Sequence, residues 1–200
     1  MAWLIKITEV LGDFSLASWG LLPRHLSGLS GILTAPFLHS DFAHLSFNSF
    51  PMVGLFWMVF GLYPQLAKGL TLWLFVATGF WTWCFAREAY HIGASGLVYG
   101  GAAFLLFGGV FRGNRQEVAI SFIILVLYGG LWAGLFPPTS QISWEAHWSG
   151  FIAGGAYAYF SRRWDRGPSD SWPGLSNESP ELVQLKAVRY EKAKKAKEAR

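Results

Sequence analysis

The chain has 200 residues, room for one domain, of which 52% are hydrophobic and only 14% charged. A soluble domain carries about 25% charged residues, so this composition excludes an ordinary soluble enzyme and indicates a membrane protein with several spans. Residues 1–161 hold six basic and six acidic side chains, which cancel, so the net charge of +4 lies wholly in residues 162–200 and the core is no nucleic-acid-binding domain.

In chain order, "MAWLIKITEVLGDF" comes first, apolar in part but interrupted by Lys6 and Glu9. It is too short to cross a hydrocarbon core, which takes roughly 17–25 helical residues. It also lacks the small-residue cleavage site of a signal peptide. The expectation is an interfacial helix, or a partial helix whose start is missing. Residues 15–40 read as a long loop that is too apolar for a free linker. It is expected to pack against the bundle or to lie in the interface.

Five spans follow, at about 42–62, 69–86, 94–111, 117–136 and 143–161. The turn and charge signals "YPQLAK", "REAYH", "RGNRQ" and "PPTSQ" separate them. The expected architecture is an all-α polytopic membrane helix bundle with five clear spans and a truncated or partial first helix. It forms a membrane domain over 1–163. A basic tail over 164–200 begins with a Pro-, Gly- and Ser-rich linker and carries a short helix capped by Ser179 with Pro180 at its first position.

Lys68, then Arg112 and Arg115, then Arg162, Arg163 and Arg166 follow alternate spans. The positive-inside rule puts those loops and the C-terminus in the cytoplasm. A multi-pass protein of a bacterial plasma membrane is expected, in contact with the lipid bilayer; the oligomeric state is not legible. Spans one, three and five then enter from the outer side. Their N-terminal turns hold His44 and Asn48, Ser95, and His147, so the polar groups of the membrane core share one depth.

Intramembrane polar residues are costly and mark function by default. His44 and Asn48, four apart, share a helix face. Ser95 opens its helix behind Gly93 and Ala94. A serine becomes a nucleophile at neutral pH when a neutral histidine within hydrogen-bond reach takes its proton, and His147 qualifies. Acyl transfer also needs donors for the oxyanion, a task that suits His44, Asn48 and backbone N–H groups at a helix start.

Each residue has a plainer reading. Ser95 alone is a small residue that lets helices approach, as Gly96/Gly100 and Gly150/Gly154 do at their four-residue spacing. "GASGL" is not the G-x-S-x-G elbow, because Leu97 stands at its last position. His39, His44, His91 and His147 could bind zinc, but no H-E-x-x-H is present, and no metal or cofactor is expected. Cys84, the only cysteine, reads as a small apolar residue of a span.

The pieces "HSDFAHLSFN", "GASGLVYG" and "AHWSGFIAG", in that order, make the chain resemble the rhomboid intramembrane serine proteases over roughly residues 18–162. The resemblance implies Ser95 as nucleophile and His147 as general base, a dyad without an aspartate. It implies an oxyanion site of His44, Asn48 and the Ser95 N–H. Tyr99 would pack on the His147 ring, His39 would be structural near the loop, and Gly93 belongs to the serine motif. Gly96/Gly100 and Gly150/Gly154 would bring spans three and five together. The substrates would be transmembrane proteins. Family members usually have six core helices, and Met1–Phe14 is too short to be the first. The rival readings are an inactive rhomboid-like adaptor that binds transmembrane helices and a small transporter; the second ranks last because spans one, three and five are apolar below the polar layer.

Overall fold

Residues 1–113, 115–136, 142–164 and 184 are described by the computed structural model. Ala2–Gly12 form helix α1, which stops where Asp13 turns left-handed at φ 51°. The chain from there to Asp41 is built of 3₁₀ turns at Ala17–Trp19, Leu26–Gly28 and Ala35–Phe37 around a short helix α2, Gly31–Thr34. Leu21 and His91 exchange backbone hydrogen bonds of 3.0 and 2.8 Å, and the Gly93 N–H donates to the Ala35 carbonyl at 2.9 Å. The Trp83 indole donates to the His25 carbonyl at 3.0 Å. The segment thus packs against the helices, leaving Trp19, Leu26 and Leu33 exposed.

The long helices are α3 (Phe42–Leu62), α4 (Pro64–Phe85), α5 (Ser95–Arg112), α6 (Arg115–Tyr128), the short α7 (Trp132–Leu135) and α8 (Trp144–Ser161). Among the described residues the only β feature is the isolated Leu21–His91 bridge, so the fold is the expected all-helical bundle. Phe42–Leu62, Ser95–Arg112 and Arg115–Leu135 are long and apolar enough to cross a membrane. The protein is an integral membrane protein.

Two spans differ from their sequence reading. α4 starts at Pro64, so Tyr63 alone separates it from α3. Proline suits a first helical position, where its missing N–H has no partner to lose. The fourth span is not continuous. α6 ends at Tyr128, and a 3₁₀ turn at Gly129–Leu131 leads into α7. Two adjacent glycines disfavour helix, and the Leu131 and Gly134 carbonyls bond side chains of other helices.

α5 is the centre of the bundle. Every residue from Ser95 to Leu105 is buried, as expected for a helix that is apolar all round. Its tightest neighbour is α8. A Cβ at Gly150 would fall on the Gly96 carbonyl, and one at Gly154 on the Gly100 carbonyl. Glycine at these two positions lets the backbones touch. Large apolar side chains such as Phe47, Phe50 and Trp57 of α3, and Phe122 and Val126 of α6, point outward, as a lipid-facing surface requires.

At the end of α5 remote from Ser95, a buried charge cluster joins α5, α6, α8 and the Tyr63 junction between α3 and α4. Arg112 is not the loop cation of the sequence reading. It lies inside the bundle 3.3 Å from Glu117, and it bonds Ser161 at 3.1 Å. The Tyr63 hydroxyl donates to the same Glu117 carboxylate at 2.7 Å. The guanidinium also sits over the Tyr63 and Phe104 rings, 5.2 and 5.5 Å from their centroids. An arginine can be buried there because its charge is paired and its face is stacked.

The chain divides into two units, Met1–Gly167 and Pro168–Arg200. The expected tail helix lies outside the described residues, apart from Gln184.

Candidate functional site

His44, Asn48, Ser95 and His147 each lie within the first two turns of their helices. Asp41 caps α3, its Oδ1 accepting the His44 N–H at 2.8 Å. This fixes the first turn from which the His44 ring projects, with Asn48 one turn on. Ser95 is the first residue of α5. Its N–H is therefore among those with no intrahelical acceptor. His147 lies in the first turn of α8.

The backbone contact of α5 with α8 brings Ser95 and His147 together. His147 Nε2 lies 2.9 Å from Ser95 Oγ, and both residues are buried. On the other side of the ring, Nδ1 is 2.8 Å from the Gly134 carbonyl. A carbonyl only accepts, so Nδ1 carries the proton and Nε2 presents a lone pair to the serine hydroxyl. Tyr99 stacks flat on this ring, with centroids 4.2 Å apart at 10°. Its hydroxyl donates to the Leu131 carbonyl at 2.6 Å. The 3₁₀ turn after α6 and the short α7 thus supply the acceptors that orient both rings.

His44 and Asn48 converge on the backbone two residues before Ser95. Gly93 has φ 109°, a conformation open to glycine. A Cβ there would meet His44 Nε2 at 2.8 Å and Asn48 Nδ2 at 3.2 Å. Asn48 is buried, and its Nδ2 has no hydrogen-bond partner. A buried amide donor without a partner is destabilising by about 1–3 kcal/mol unless something else uses it. The Asn48 amide donor and His44 Nε2 therefore both face the backbone at Gly93, two residues before Ser95.

Around this site the remaining predicted residues take supporting places. The His39 ring meets the His44 ring edge-on at 5.0 Å, and burial and the neighbouring His44 hold its pKa down at about 4. Gly96, Gly150 and Gly154 form the α5–α8 contact described above. His91 is tied into the loop, Nε2 lying 3.1 Å from the Arg87 carbonyl. Among the described residues no three metal-ligating side chains come together. Cys84 is a free, partly buried thiol of α4.

Several participants escaped the sequence reading. Ser40 donates to Asp41 Oδ2 at 2.7 Å and lies 3.1 Å from His44 Nδ1. "SD" before an apolar run is a helix-start signal that could have found both. Gly134 acts through its carbonyl, which no residue type announces; "YGGLWAG" signals only that the helix breaks there.

Residues 26–164 match the family described as the Rhomboid domain. Uncharacterized proteins of Mycobacterium bovis and Mycobacterium tuberculosis are each 32% identical over 170 residues, covering 80% of this chain and 70% of their own. One from Mycobacterium leprae is 30% identical over 168 residues, covering 80% and 66%. No solved structure matches significantly.

Proposed function

The chain belongs to the rhomboid family, and from that premise we propose that it is an intramembrane serine endopeptidase acting on transmembrane proteins. The observation that carries the proposal is the 2.9 Å approach of His147 Nε2 to Ser95 Oγ, with Nδ1 held by Gly134. In this reading Ser95 Oγ attacks the scissile carbonyl carbon as its proton passes to His147 Nε2. The carbonyl oxygen, now negative, takes hydrogen bonds from His44 Nε2, Asn48 Nδ2 and the Ser95 N–H. The C–N bond breaks, and His147 gives its proton to the leaving amine. Water then attacks the acyl-serine, again with His147 as base, and the acid product leaves Ser95 restored.

A base contributes about 10²–10⁴ in rate. Each oxyanion donor contributes about 10²–10³. The site lies among helix N-termini, whose positive ends favour the same negative charge. A helical amide is shielded by its own hydrogen bonds, so the substrate must open locally. Small and helix-breaking residues near the cleavage point serve that purpose. The N-terminal ends of α3, α5 and α8 face the cytoplasm-distal side by the loop charges, and the basic tail the cytoplasm.

The test uses the full chain in liposomes with a model transmembrane substrate. Wild type should cleave it and be labelled at Ser95 by a fluorophosphonate. Ser95→Ala and His147→Ala should each abolish cleavage. Undiminished cleavage by Ser95→Ala overturns the proposal. Binding of transmembrane helices by a wild type that neither cleaves nor labels would favour the adaptor.

A further inference from the structure

We propose that Lys6 of α1 is a positioning residue for the oxyanion histidine His44 and acts on it through Ser40, an inference that rests on the serine-protease reading. Lys6 and Glu9 are the two residues that break the apolar pattern of the N-terminal segment, and the structure gives them joint work. Lys6 Nζ donates to the Ser40 carbonyl at 2.9 Å, the His39 carbonyl at 3.2 Å and Glu9 Oε2 at 3.3 Å. An ammonium has three donors and no acceptor, so these partners use all of it. Glu9 Oε1 takes the Leu16 N–H at 2.6 Å, which fixes the carboxylate that in turn orients Lys6.

The two side chains are only 12% and 4% exposed. Burying a charge is unfavourable even when it is paired, and apolar residues would dock α1 on α3 more cheaply. What the lysine does that leucine cannot is to hold two consecutive carbonyls, those of His39 and Ser40. These residues immediately precede the Asp41 cap. With its carbonyl held, Ser40 directs Oγ between Asp41 Oδ2 at 2.7 Å and His44 Nδ1 at 3.1 Å. The far nitrogen of the same ring, Nε2, faces Gly93. That nitrogen carries a proton in the imidazolium, or in the neutral ring when Ser40 turns its hydroxyl to Nδ1. A continuous path therefore runs from Lys6 through Ser40 to the donor atom. Catalytic placement is steep in distance: a displacement of about 1 Å costs on the order of 10²-fold.

The test measures kcat and KM of the 200-residue chain on a membrane substrate, alongside thermal unfolding in detergent. Lys6→Met should lower kcat by about tenfold with KM unchanged, an effect of a sub-ångström shift, and Lys6→Arg should restore most of it. Lys6→Met should add no further loss to His44→Ala but its full factor to Asn48→Ala, because interaction energies appear only between coupled residues. A fold-stability role would lower both backgrounds alike. If Lys6→Met unfolds the protein, Ser40→Ala reads the same coupling without touching α1. An active wild type insensitive to Lys6→Met, or a loss of equal size in the His44→Ala background, overturns the proposal alone. A wild type that neither cleaves nor takes label at Ser95 overturns the protease reading and this proposal with it.

Discussion

His147 donates through Nδ1 to the backbone carbonyl of Gly134 at 2.8 Å. In a three-residue catalytic set an acidic side chain would take that proton bond and fix the tautomer. Here a main-chain oxygen does so, and it has no titration of its own. The tautomer that turns a lone pair toward Ser95 is thus set by where the chain breaks its helix.

That relationship makes Gly134 sensitive in a specific way. A Cβ there would fall on the Tyr99 hydroxyl and lie 3.2 Å from His147 Nδ1. Gly134→Ala should displace both rings and lower kcat by roughly 10–100-fold, the range expected of displacements up to about 1 Å. Turnover and the rate of fluorophosphonate labelling should fall together. A wild-type labelling rate would show that Gly134 does not hold the base.

Asn48 should separate activity from stability. Its buried Nδ2 bonds nothing in the resting protein. Asn48→Ala should lower kcat by about 10²–10³-fold, the effect of losing one oxyanion donor. Its Tm should stay level or rise, because a buried donor without a partner is removed. A large drop in Tm would instead mark Asn48 as structural.

The gathering of His44, Asn48, Ser95 and His147 was legible because the sequence puts each within the first two turns of an expected span, and the loop charges predict that those spans enter from the same side. The apolar runs located the long helices, three of which are long and apolar enough to cross a membrane. What the sequence hid was main-chain work. The Leu131 and Gly134 carbonyls come from the 3₁₀ turn and the short α7 that interrupt a run reading as one apolar span. Arg112 was hidden for another reason: its partner Glu117 stands five residues on, across the turn at Gly113, and only packing shows that the pair points inward.

The α5–α8 contact should not tolerate a methyl group. Gly150→Ala places its Cβ on the Gly96 carbonyl. Overpacking of this kind costs about 1–3 kcal/mol. The variant should unfold at lower temperature, and cleavage should suffer more than stability does, because the helices must separate beside Ser95. Thermal unfolding and turnover measured on one preparation check both.

Arg112→Met leaves Glu117 buried opposite an apolar side chain. Removing one partner of a buried ion pair costs about 3–5 kcal/mol, whereas replacing both with apolar residues is often nearly neutral. The double variant Arg112→Met/Glu117→Leu should therefore recover most of the Tm lost by Arg112→Met. Additive losses in the double variant would contradict this account of the cluster.

Stability should weaken in mild acid through His39. Its ring titrates at about 4 in the folded protein against 6.5 ordinarily. Between these values the unfolded chain binds more protons. The contribution is whole above 6.5, shrinks as pH falls toward 4, and is flat below. His91, also lowered by burial, acts in the same direction. A Tm series from pH 7 to 5 should fall, and His39→Asn should flatten it.

Because Gly150 and Gly154 of α8 rest on the Gly96 and Gly100 carbonyls of α5, no flexible side chain separates these two helices at those points. Membranes differ in thickness, and spanning helices answer by tilting. α3 carries much of the lipid-facing surface, with Phe47, Phe50 and Trp57 exposed, whereas α6 is tied to α5 through Ser121 and Glu117. The α5–α8 pair can tilt only as one piece, so the Ser95–His147 distance should stay constant across bilayers that rearrange the rest of the bundle.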